Sequence, residues 1–123
     1  MPAHAQSRTL ASEAPQFASG AMVLLSLSAP REKYWGMVLE LAPAGISLRG
    51  LELSWFEDFV RQIKAGDHVM PNALFFPMHR VERMELDACN GEIPSLQGRF
   101  LSKCGVDFRK LIAGNADEQR QQS

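Results

Sequence analysis

The chain has 123 residues and a mass of 13.7 kDa, which fits one domain of the usual ~100–150 residues and excludes two self-sufficient cores. An apolar fraction of 46% with 22% charged residues excludes collagen-like, coiled-coil and wholly disordered chains. A net charge of -1 leaves no global field to gather a polyanion or dock on an acidic membrane.

Residues 1–20 and 114–123 are polar or small-residue tails that could not repay their ordering entropy by burial, so the working domain is expected from Ala21 to Ala113. That span holds equal numbers of cations and anions, so removing the tails uncovers no basic core. Residues 1–20 lack the continuous apolar run of a secretory signal. No other stretch approaches the ~18 apolar residues of a membrane span. A cytoplasmic protein with no membrane association is the expectation. Cys89 and Cys104 lack metal-ligand spacing and read as structural thiols.

Met22 to Ser28 opens as an apolar run and then alternates, with Leu25 and Leu27 opposite Ser26 and Ser28, the pattern of a half-buried strand. After a turn at Ala29 to Arg31, Glu32 to Leu41 alternates as a second strand. Gly36 within it predicts a sharp bend or a close backbone approach. Pro43 to Gly45 is a tight-turn sequence leading into a third strand, with Ile46, Leu48 and the offset Leu51 and Leu53 as its apolar positions.

Ser54 and Glu57 have the spacing of a capping box, predicting a helix that begins there. Phe56, Phe59, Val60 and Ile63 then fall on one helical face, and Gly66 is placed to stop the helix in a left-handed conformation. Ala73 to Phe76 predicts a short apolar strand, Pro77 to Arg80 a corner, and Val81 to Leu86 a further strand. Beyond a connector at Ala88 to Glu92, two short helices are expected. One starts at Pro94 and Ser95, the other follows Asp107 as N-cap, and Gly105 separates them. The fold class is therefore mainly β with helical additions: a small antiparallel sheet of five strands, a helix inserted between strands 3 and 4, and two short C-terminal helices.

This order, with a bend-forming Gly in the second strand and a short corner before the fifth, resembles the Sm-like (LSm) fold, a strongly bent five-stranded barrel. Gly36, Val38 and Leu41 keep the spacing of the first Sm motif, and Ile46 to Leu48 resembles its return strand. Phe76 to Met84 reproduces the apolar frame of the second motif. The departures lie where the family binds uridine: Ala42 replaces the expected Asp, no Asn precedes Ile46, and Pro77 and Met78 replace an Arg-Gly pair. The resemblance therefore implies the fold and not that pocket. Alternating strands and tight turns also suit another small barrel, such as an SH3-like module.

The resemblance implies a corner facing a ring's central pore, which makes His79, Arg80 and Arg83 candidate nucleic-acid contacts. On the bland reading Arg80 and Arg83 simply pair with neighbouring glutamates on a solvated strand. Tyr34, beside Trp35 and near Arg31 and Lys33, is a candidate stacking residue, although at least one of the adjacent aromatics must be core. Trp55, Phe56 and Phe59 carry more apolar surface than a short helix needs. They are candidates for a protein contact or for packing over the open end of the barrel.

Asp67, His68, His79 and Asp87 have no spacing that assembles them, and the chain carries no enzyme or phosphate-loop signature. No cofactor, metal or catalytic residue is expected. The leading expectation is a non-catalytic scaffold or adaptor that forms homo-oligomers, as a ring, through exposed strand edges. An RNA-binding ring and a monomeric regulatory module with a protein partner are the alternatives.

Overall fold

A computed structural model describes residues 14–113. Five strands, β1 (Met22–Leu27), β2 (Glu32–Ala42), β3 (Gly45–Glu52), β4 (Asn72–Pro77) and β5 (Val81–Leu86), form one antiparallel sheet in the order β4-β3-β2-β1-β5. Helix α1 (Phe56–Lys64) lies between β3 and β4, and α2 (Leu96–Cys104) and α3 (108–113) follow β5. Short 3-10 turns sit at Ala14–Phe17, Leu53–Trp55 and Met78–Arg80. The five strands, the inserted helix and the two C-terminal helices stand where the hydrophobic periodicity puts them. Among the described residues, no helix is long and apolar enough to cross a membrane.

Alternation along the strands gives the sheet two apolar faces. On one face, Val23, Leu25, Leu27, Val38, Ile46, Leu48 and Phe76 form a core joined by Tyr34, Leu74, Val81 and Met84. All five strands contribute to this cluster, so both edge strands lean over a shared interior. The bent barrel that the resemblance implies is not closed: among the described residues β4 and β5 are the two edges of the sheet, and no ladder joins them. Of the segment expected as an N-terminal tail, residues 1–13 lie outside the described region. Phe17 packs against this interior, and the Gly20 amide donates to the Val38 carbonyl at 2.7 Å. The expected tail at 114–123 is likewise outside the described residues.

The opposite face is covered by the helices. Trp35, Phe56, Phe59, Val60, Phe100, Phe108 and Ile112 pack there with Met22. Trp35 meets Phe56 edge-on at 5.3 Å and Phe108 at 4.3 Å between ring centroids. Phe100 and Phe108 are fully buried, and each contributes about 2 kcal/mol through removal of apolar surface from water.

Gly36 and Gly50 face each other across β2 and β3. A Cβ on Gly36 would meet the Arg49 carbonyl oxygen at 2.4 Å, so the close approach expected of this glycine is real. The helix ends follow local chemistry. Ser95 accepts the Gly98 amide, and Asp107 accepts the Arg109 amide at 2.8 Å. After α1, the Gly66 amide donates to Ile63 and the Asp67 amide to Gln62, a Schellman closure with Gly66 at φ 88°.

One cap differs from expectation. Ser54 lies in the 3-10 turn ahead of α1, and its hydroxyl donates to Glu52 Oε1 at 2.7 Å instead of capping the helix. Glu57 turns outward to Arg99 and Lys103 on α2. The extra 3-10 turn moves the helix start past Ser54, and two cations on α2 out-compete a reciprocal cap.

Candidate functional site

The β1–β2 turn and the start of β5 form a charged corner. Arg80 reaches back to this turn: its Nε donates to the Ser28 carbonyl at 3.2 Å, and Nη2 donates to the Pro30 carbonyl and to Glu32 Oε1, each at 2.8 Å. The Ser28 amide in turn donates to the Arg80 carbonyl. Arg80 therefore fastens two loops, and its fork is occupied by the protein itself.

Tyr34 points to the interior beside Phe76, with ring centroids 4.8 Å apart. Burial, reinforced by Glu32 and Glu52 against the opposing charge of Arg80, raises its phenol above the ordinary value. Trp35, its neighbour in sequence, lies in the other core, so the alternation rule sends both rings inward on opposite sides of the sheet. His79 is exposed in the 3-10 corner. Arg83 extends from β5 to the helix-covered side of the sheet and pairs with Glu85 at 3.4 Å. The four residues expected as nucleic-acid contacts thus separate. Tyr34 and Arg80 share the neighbourhood of Glu32, His79 precedes Arg80 in the exposed corner, and Arg83 projects from the other face of the sheet.

The aromatic helix also divides. Phe56 and Phe59 are buried in the core, whereas Trp55 is 57% exposed. Periodicity alone misses this division because Trp55 precedes α1, in the 3-10 turn, and so escapes the helical face. Asp87 is engaged by Trp35 and the first turn of α2. Its carboxylate accepts the Trp35 indole N–H at 3.0 Å and the Leu96 and Gln97 amides at 2.8 Å. Among the described residues, no group of three or more His, Cys, Asp or Glu could hold a metal ion. Burial raises the Cys104 thiol above its ordinary value, against the nearby charges of Lys64 and Lys103.

Two features among the described residues bear on contact surface. The first is the pair of open sheet edges, where β4 carries Phe75, 56% exposed, and leads into the exposed Met78. The second is a depression of about 540 Å³ at the end of β1, lined by Ser26, Leu27, Arg31, Glu32, Lys33, Glu82 and Arg83. Sequence reading reached Arg83 and the cations flanking Tyr34 but not their grouping, which depends on strand register.

No protein-family model, curated protein or solved structure matches the chain.

Proposed function

We propose that this protein is a non-catalytic, self-associating scaffold built on an Sm-like sheet, in which β4 of one copy pairs with β5 of the next. The observation that carries this reading is that, among the described residues, the order β4-β3-β2-β1-β5 leaves both edges of one shared interior without a further strand, with the exposed Phe75 on β4 and Met78 just beyond it. An open edge bearing exposed aromatic surface is an aggregation hazard unless another strand covers it. Because the two edges differ, the pairing is heterologous, and repetition closes a ring when the rotation per copy allows.

Size-exclusion chromatography with light scattering tests the reading. A mass of about five to seven copies supports it, with dissociation expected in Phe75→Glu. A monomer at high concentration overturns it.

A further inference from the structure

The register of the sheet gathers cations that the sequence spreads over 53 positions. Lys33 on β2 and Arg83 on β5 are both direct cross-strand partners of Ser26 on β1, so all three project from the same face. This is the face that the helices cover around Trp35, and the Lys33–Ser26–Arg83 row lies at the end they leave bare, where the depression opens. Arg31 adds a third cation from the β1–β2 turn.

The opposing acids are weakened in different ways. Glu32 is neutralised by Arg80 at 2.8 Å. Glu85 holds Arg83 only at 3.4 Å, with both side chains more than half exposed, an ion pair of little energetic weight that leaves the guanidinium free to turn. Glu82 is the remaining carboxylate. It occupies the extra position of a β-bulge, where the partners of β1 shift from Arg83 to Val81.

We propose that this depression binds a small phosphorylated ligand through its phosphate, with Lys33 and Arg83 on either side and the Ser26 hydroxyl donating from the floor. A guanidinium fork, an ammonium and a hydroxyl on one concave surface match the several acceptor oxygens and the charge of a phosphate. The volume is that of a small-molecule site. No aromatic ring lines it, and so it lacks the stacking platform that a single-stranded nucleic acid uses. The proposal concerns the face of the sheet at β5 and does not rest on self-association at the edge of that strand.

Titration of the full chain with inorganic pyrophosphate, followed by amide chemical shifts, tests it. Saturable shifts centred on Ser26, Lys33 and Arg83 are expected. Lys33→Gln and Arg83→Gln should each weaken binding about tenfold, the equivalent of one charge-assisted hydrogen bond. Glu82→Gln should tighten binding, and Lys64→Gln, which removes a distant exposed cation, should leave it unchanged. These side chains are on the surface, and unaltered circular dichroism verifies that the variants fold. Absence of saturation overturns the proposal, as does an equal loss in Lys64→Gln, which would mean diffuse attraction. Binding of a short RNA strand through these residues without binding of pyrophosphate would also overturn it, in favour of a polynucleotide.

Discussion

The Trp35 indole N–H donates to Asp87 Oδ2 at 3.0 Å, tying β2 to the residue that follows β5 across 52 positions of sequence. The same carboxylate accepts the first amides of α2, where a negative charge also suits the helix dipole. Asp87 is 6% exposed, so its loss would strand several donors in a desolvated place. Asp87→Ala should cost about 3 kcal/mol in chemical denaturation and alter the near-ultraviolet signal of Trp35. Asp87→Asn should cost less, because its carbonyl still accepts. A loss below about 1 kcal/mol in the alanine variant would show that the network is not holding the helix.

Arg80 acts as a fastener for the β1–β2 turn. Arg80→Lys keeps the charge but loses the fork that reaches Ser28, Pro30 and Glu32 together. It should destabilise the domain by about 1–2 kcal/mol, with amide exchange accelerated at Ser28 to Glu32. Exchange that stays at the native rate in that turn would count against the role.

The Gly36–Gly50 crossing tolerates no side chain on either strand. A Cβ on Gly50 would meet the Trp35 carbonyl oxygen at 2.2 Å. Gly36→Ala and Gly50→Ala should each lower stability by about 3 kcal/mol or more, because backbone on both sides must move. Gly66→Ala has open space around it and bears only the left-handed backbone penalty, so a loss of about 1 kcal/mol is expected. Thermal melts of the three variants rank them directly.

Glu57 links α1 to α2 through Lys103 and Arg99. The hydrogen bond from Lys103 is the main influence holding this carboxyl below its ordinary 4.5, helped by the charges of Lys103, Arg99 and Arg61 against a desolvation effect. A lowered folded-state pKa means that the contribution is complete above the ordinary carboxylate range and is lost as pH falls through the folded value. Wild type should therefore lose slightly more stability than Glu57→Gln between pH 5 and pH 3, a difference that shrinks in high salt because the group is exposed. Parallel acid titrations of the two proteins would reveal it.

Local interactions account for most of the elements. Strand alternation, the apolar face of α1, the helix start at Ser95, the cap at Asp107 and the stop at Gly66 all follow from interactions spanning a few residues. The same is true of the rule that Tyr34 and Trp35 take opposite sides, although which side belongs to which core is settled only by packing. Where a neighbour in sequence was a poor guide, the reason is competition from a distant group. Glu57 lay within reach of Ser54, yet it bonds Arg99 and Lys103 from a helix more than 40 positions away.

The candidate sites show the same division more sharply. Arg80, Arg83 and Tyr34 are close in one reading of the sequence, but the β1–β5 and β1–β2 registers separate Arg83 from the other two and bring it beside Lys33. The sequence by itself determined the elements, their order and their amphipathic faces, because those depend on the period of the backbone. Only the tertiary structure decided that, among the described residues, β4 and β5 remain the sheet edges, and which cations share a surface. Both depend on ladders between strands far apart in the chain, whose register no local pattern encodes.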